Sequence, residues 1–150
     1  MKLSAKTRYG ARLLLDLARH HGQTPVRIED IAKRQDISVK FLEQIIRPLK
    51  KASLVTSTRG PKGGHALAKA PEEISLGEIV HALESSPVLT DCVDDNDHCA
   101  RASECGIRMA WREATSVLFD KLNSITITDL LAYENRLTTG RGAKSLTDQP

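Results

Sequence analysis

The sequence predicts a mainly α fold, a winged helix-turn-helix with a two-stranded wing and a long C-terminal dimerisation helix. Three observations predict it. SVKFLEQIIRPLKK, Ser38 to Lys51, places Phe41, Leu42, Ile45, Ile46 and Leu49 at the i, i+3/i+4 spacing of a helix with one buried stripe, and a shorter helical stretch, EDIAKRQDI, precedes it across a sharp break. A β-branched run, the turn sequence RGPKGG and a second extended piece follow at once, as a hairpin would. Between Cys105 and Leu122 runs the longest clean helical pattern, lying outside the compact part that the first two features build.

The elements follow in chain order. From about Ser4 to His21 a first helix carries Tyr9, Leu13, Leu14, Leu17 and Ala18 on one stripe, with Ser4 or Thr7 to cap it and Gly22 to end it. His20 and His21 fall in its last turn, where partly cationic side chains suit the helix dipole. Thr24 to Ile28 is a connector in which Pro25 blocks helix and Val26 and Ile28 alternate, so a brief extended piece is expected. Ser38 is placed to cap the second helix of the helix-turn-helix, and Pro48 should bend that helix near its end. LVTST and HALA are the wing strands. Ser75 and Glu78 form a capping-box pattern at the head of a fourth helix that reaches to Ser85. Ile107, Ala110, Trp111, Ala114, Val117, Leu118 and Leu122 are the stripe of the long helix, whose expected use is pairing with a second copy. A short helix from Thr126 to Arg136 and a Gly-, Ser- and Thr-rich tail close the chain, the tail read as disordered. The expected organisation is a DNA-binding domain over 1–86, a cysteine-bearing loop over 87–104, dimerisation helices over 105–137 and the tail over 138–150.

Composition narrows the function. The chain has 150 residues, 40% hydrophobic and 3% aromatic, enough for one domain with an aliphatic core. No apolar run approaches the ~18–20 residues of a membrane span, and MKLSAKTRYG has no signal-peptide core, so a cytoplasmic protein is expected. Net charge is +3, but Lys33 to Lys69 holds nine Lys/Arg against two acids. Pro87 to Glu104 holds five acids against one Arg. A basic block centred on a helix-turn-helix pattern points to phosphate, and the second helix of that motif enters a major groove. Arg59 and Lys62, set between glycines in the wing turn, extend the same surface. No G-x-S-x-G, P-loop or H-E-x-x-H sequence is present, so an enzyme is not expected.

Cys92, Cys99 and Cys105 are spaced C-x6-C-x5-C in the acidic stretch that also holds Asp91, Asp94, Asp95, Asp97 and Glu104. Thiolates suit iron–sulfur clusters, zinc or cuprous copper. Structural zinc sites use closer C-x2–4-C hooks, and wider gaps suit a cluster. Cys105 opens the long helix, where the dipole favours thiolate.

In combination, MKLSAKTRYG, FLEQIIRPLKKASLV, STRGPKGGHALA, ISLGEIVHALE, the three cysteines and MAW resemble the IscR/NsrR-type repressors, the Rrf-two family, over residues 1 to about 137. The resemblance implies a homodimeric transcription regulator whose affinity for a double-stranded operator is controlled by an iron–sulfur cluster, 2Fe–2S or 4Fe–4S. It implies that Lys40, Glu43 and Gln44 are base-reading positions of the recognition helix, and that Arg59 enters the minor groove from a turn shaped by Gly60, Pro61, Gly63 and Gly64. Beside these, Arg47 on the same helix is a further candidate DNA contact, and Lys62 is expected at phosphate. The cluster ligands it implies are Cys92, Cys99 and Cys105. Two departures stand out. IscR-like members have a histidine three residues after the third cysteine, where this chain has Arg108, and NsrR-like members have a carboxylate near position 8, where this chain has Arg8. Arg108 cannot ligate iron, since a guanidinium has no free lone pair, and is expected to donate hydrogen bonds around the cluster instead. His98, Glu104 and Asp91 each adjoin a cysteine and are awkward fourth ligands. The expected cluster is held by three cysteines, its fourth site open to a carboxylate, water or small molecule. The alternatives are a cluster-free winged-helix regulator responding through thiols or a small ligand, and an iron–sulfur carrier that binds no DNA.

Overall fold

Ser4 starts the first helix by accepting the Thr7 N–H, which satisfies one of the orphan donors of a helix N-terminus. From there the computed structural model, which describes residues 2–94 and 99–144, runs α1 (Ala5–Ala18), α2 (Ile28–Gln35) and α3 (Val39–Lys51). The wing strands β1 (Val55–Thr58) and β2 (Gly64–Leu67) follow, then a 3-10 turn (Pro71–Glu73) and α4 (Leu76–Leu83). A short α5 (Asp91–Asp94), α6 (Gly106–Asn123) and α7 (Ile127–Lys144) complete it. The fold is a mainly helical winged helix-turn-helix with one two-stranded antiparallel sheet. No described helix is long and apolar enough to cross a membrane.

The break inside the helix-turn-helix has a backbone cause. Asp36 ends α2 in the left-handed region at φ 52°, a conformation that Asp tolerates better than most residues. Ser38 then starts α3 by accepting the Phe41 N–H at 3.2 Å. At eight residues α2 is too short to be stable alone, so packing sets its place. Ile31 anchors it in a core of Leu13, Leu14 and Leu17 from α1, Leu42, Ile45 and Leu49 from α3, Ile79 from α4, and Ile127 from α7. The helix α3 reaches Lys51 with Pro48 inside it. Pro48 has no N–H for the carbonyl of Gln44, a residue at an exposed position where water can take that bond.

Two stitches fix the C-terminal helices to this core. Leu76 N–H donates to the Ile125 carbonyl at 2.8 Å, and Ile127 N–H donates to the Ile74 carbonyl at 2.9 Å. Around them Ser75 and Glu78 form the expected capping box. The helix α4 stops at Leu83, two residues short of the sequence-based expectation. At the far end, α7 continues past Arg136 to Lys144, where the sequence reading ends it. The Thr138 and Thr139 hydroxyls bond back to the Asn135 carbonyl instead of breaking the helix, and Arg136 lies over the Tyr133 ring. The remainder of the tail, 145–150, and Asp95, Asp97 and His98 of the acidic loop lie outside the described residues.

Much of the stripe assigned to α6 turns away from its own chain, while Leu118 and Leu122 are half-buried. Thr115 and Phe119 are the buried residues of α6, and the Phe119 ring lies 4.4 Å from that of His81 on α4. Ile107 and Val117 are 69% and 68% exposed, and Trp111 is exposed beside them. One helix thus carries two faces, a mixed one against α4 and an apolar one facing outward.

Candidate nucleic-acid interface

Burial of Leu42, Ile45, Ile46 and Leu49 dictates what the other side of α3 presents. Lys40, Glu43, Gln44 and Arg47, at i, i+3, i+4 and i+7, are all exposed on that side. A cleft of about 250 Å³ between α3 and the foot of the wing is lined by Ile28, Glu43, Ile46, Arg47, Lys50 and His65. Burial, with the nearby Lys50 charge, holds the His65 imidazole below its ordinary pKa, against the opposing pull of Glu29. At the foot of the wing its Nδ1 meets the Ser57 hydroxyl at 2.9 Å.

The wing pairs Val55 with Leu67, Thr56 with Ala66, Ser57 with His65, and Thr58 with Gly64. Arg59, Gly60, Pro61 and Lys62 form its exposed tip. The turn needs its glycines for two different reasons. Gly60 sits at φ 108°, closed to most side chains. A Cβ on Gly63 would lie 2.3 Å from the Thr58 carbonyl oxygen, and one on Gly64 would lie 2.4 Å from that of Val26. The second clash arises because Val26 exchanges both backbone hydrogen bonds with His65, at 2.8 and 2.7 Å, adding an edge to the wing from the connector before α2. The expected extended piece is thus met at Val26 alone, because Ile28 already opens α2.

Helix α1 holds α2 by polar contacts and α3 by an aromatic one. The Arg34 guanidinium of α2 grips the Asp16 carboxylate with two bonds of 3.0 and 2.8 Å, and Asp16 is only 2% exposed. Hydrogen bonding to Asp16 raises the Arg34 pKa above its ordinary value, against the effect of burial. Arg12 donates to the Gln35 side chain and carbonyl, and Tyr9 packs edge-on against Phe41 with ring centroids 5.8 Å apart. None of these tethers was singled out from sequence. An acid and a base eighteen residues apart on different helices leave no local pattern to read.

The same helix contacts the end of α4. A Cβ on Gly10 would fall 2.3 Å from Leu83, so α1 and α4 meet closely there. Glu84 accepts from the Ser4 N–H at 2.8 Å and from the Thr7 hydroxyl. Burial alone would push the Glu84 pKa up, but these donors outweigh it and hold the carboxyl below the usual value. Beyond Glu84 the chain enters the cysteine loop.

Cys92 lies on α5, half-buried, with its sulfur 3.2 Å from the Thr90 hydroxyl. Cys99 is exposed, and Cys105 is the residue that precedes the first turn of α6. All three are free thiols. Among the described residues no three His, Cys, Asp or Glu side chains converge on a common metal position. The donor chemistry for a thiolate-bound cluster is therefore present within one loop, while the loop as described does not close the three thiols on one point. Arg108 reaches back from α6 and donates to the Cys92 and Ala102 carbonyls, tying both arms of the loop to the helix.

A family model, Rrf2, described as an iron-dependent transcriptional regulator, matches residues 3–133. The chain belongs to the Rrf2 family of transcriptional regulators. It is 47% identical over 131 residues to protein rrf2 of Nitratidesulfovibrio vulgaris strain Hildenborough, covering 87% of each chain. It is 40% identical over 131 residues to the HTH-type transcriptional regulator IscR of Vibrio campbellii, covering 87% of this chain and 77% of that one. Among solved structures it superposes on CymR (YrzC), the global cysteine regulator of B. subtilis, with a TM-score of 0.71 and 32% identity, over 89% of this chain and 98% of that one. In this Rrf2 regulator the winged helix-turn-helix is thus the DNA-binding unit.

Proposed function

We propose that this Rrf2 regulator binds a near-palindromic operator as a homodimer, with affinity set by an iron–sulfur cluster on Cys92, Cys99 and Cys105. The observation that carries the DNA reading is the exposed row of Lys40, Glu43, Gln44 and Arg47 on α3, flanked by a wing tip bearing Arg59 and Lys62. Glu43 is suited to accept from cytosine N4, Gln44 to pair with adenine, and Arg47 and Lys62 to meet phosphates. The outward apolar face of α6, with Ile107, Trp111 and Val117, is the surface a second copy would cover.

Three thiols leading into α6, and the similarity to IscR regulators within a family described as iron-dependent, support the cluster. When bound, such a cluster supplies one-electron redox chemistry and a change of charge beside the dimer helix. The chain's own part is mechanical. Arg108 holds the loop backbone against α6, and Glu84 joins the start of the loop to α1, which grips both helices of the motif. A shift of the loop therefore has a short route to α3.

A second reading has its own observation: the thiols are free and do not converge, and CymR is described as a cysteine regulator. In that reading, thiol chemistry without metal moves the same loop. A carrier that binds no DNA leaves the basic α3 face and wing without a use. The test is an anaerobic visible spectrum of purified protein beside its DNA affinity with and without the chromophore. A brown protein whose affinity changes when the colour is bleached supports the cluster. A colourless protein whose affinity changes on mild thiol oxidation supports the second reading, and an affinity indifferent to both overturns the regulatory proposal.

A further inference from the structure

The wing is held by more than its own hairpin. Val26 pairs with His65 at its foot, and Gly64 lies so close to Val26 that no side chain fits between them. One residue later, Arg27 extends its guanidinium along the hairpin and donates from Nη2 to the Pro61 carbonyl at 2.6 Å. Pro61 is the middle of the tip, two residues from Arg59. Arg27 is also the residue before the first turn of α2. Its side chain thus spans from the base of the helix-turn-helix to the extremity of the wing.

The turn needs such a brace. It is exposed, contains three glycines and has the Gly63 N–H to Gly60 carbonyl bond, 2.9 Å, across it. On one side of Arg27 a groove of about 470 Å³ opens beneath the tip, lined by His20, Asp30, Arg34 and Lys62 among others. Without the Arg27 bond the tip has room to move into that groove. A charge-assisted bond to a carbonyl is worth more than a neutral one, enough to bias a tip held by few other contacts.

We infer that Arg27 is a positioning residue for the wing, setting where Arg59 meets the minor groove. The inference rests on the proposed reading of the wing as a DNA contact and adds to it a residue that touches no base. Arg27 acts through Arg59, so its loss should matter where Arg59 matters. Narrow A·T-rich minor grooves attract arginine most strongly, so flank composition is the readout.

The experiment uses full-length protein and duplexes with one core site and either A·T-rich or G·C-rich flanks. Fluorescence anisotropy is measured for wild type, Arg27→Ala, Arg59→Ala and the double variant. Arg27→Ala should weaken binding about tenfold on A·T-rich flanks and markedly less on G·C-rich ones. In the Arg59→Ala background it should add little, and it should leave the salt dependence nearly unchanged. A loss equal on both flanks, additive with Arg59→Ala, and a salt slope reduced by about one would make Arg27 a phosphate ligand and overturn the inference. Hydrogen exchange on the free protein separates this from the functional reading. The Gly63 amide should exchange faster in Arg27→Ala while α3 amides keep their protection, and an unchanged Gly63 rate would overturn the brace whatever the DNA shows. Wild-type protein that binds no duplex would overturn the DNA reading instead, leaving the brace to be judged by exchange alone.

Discussion

Replacing Asp16 and Arg34 one at a time should give unequal losses, because only one of the pair is buried. The Asp16 side chain is 3% exposed and that of Arg34 is 40% exposed. Arg34→Ala strands a carboxylate in the core, with Arg19 at 4.0 Å as its remaining cation. A stranded buried charge costs ~3–5 kcal/mol, and Arg19 should hold this case near the lower end. Asp16→Asn removes the charge but keeps one acceptor, and the freed guanidinium can turn to water. Its cost should be about 1–2 kcal/mol, one charge-assisted bond discounted for exposure. Asp16→Ala/Arg34→Ala together should lose less than Arg34→Ala alone, since neither charge is then left without the other. Urea denaturation at fixed protein concentration, followed by circular dichroism, measures all three. Equal losses for Arg34→Ala and Asp16→Asn, or a double variant worse than Arg34→Ala, would refute the claim that a buried acid dictates the docking of α2 on α1.

Further expectations concern the interface, the dimer face and pH. Glu43→Ala should relax base preference, costing about 1–3 kcal/mol of discrimination while leaving affinity for scrambled DNA within a few-fold, as read by competition binding. Val117→Asp, at a residue 68% exposed in the single chain, should leave the fold intact but shift sedimentation towards monomer and abolish two-site DNA binding. His65 is held below its ordinary pKa by burial, so the unfolded chain takes up that proton first as pH falls. Its contribution to stability should be complete above about pH 6.5 and decline as pH drops through the lower folded value, and His65→Gln should flatten the denaturation midpoint over that window. Glu84, held below its ordinary value, acts in a separate window, its contribution fading only as pH falls below about 4.3.

Local signals in the sequence carried most of the fold. The stripe of Leu42, Ile45, Ile46 and Leu49 was legible because a helix with one buried face repeats its apolar residues every three or four positions. The Ser75–Glu78 capping box and the β-branched runs around RGPKGG are legible because their partners lie three to twelve residues apart. Long-range polar contacts were not legible. Nothing local to Arg27 announces a bond to Pro61 thirty-four residues on, and nothing near Glu84 announces Ser4 and Thr7. The outward stripe of α6 was read correctly as apolar, but its inward face, Thr115 and Phe119, is too mixed to stand out. The extension of α7 to Lys144 was hidden by Thr and Gly, whose low helix propensity is a weak guide once a long helix is already under way. The cysteines could be found by type and spacing alone, but spacing does not say how their loop folds, and among the described residues no three candidate ligands converge.

The most direct measure of the central claim is a selection of duplexes from a random-sequence pool by the purified full-length protein, repeated with Glu43→Ala and Arg59→Ala. Enrichment of a near-palindrome is expected, with half-sites centred about one helical turn apart, ~34–36 Å. Glu43→Ala should lose preference at particular base pairs within each half-site, while Arg59→Ala should lose the A·T preference at the flanks. No enriched sequence, or a single unpaired half-site unchanged by either substitution, would contradict the claim.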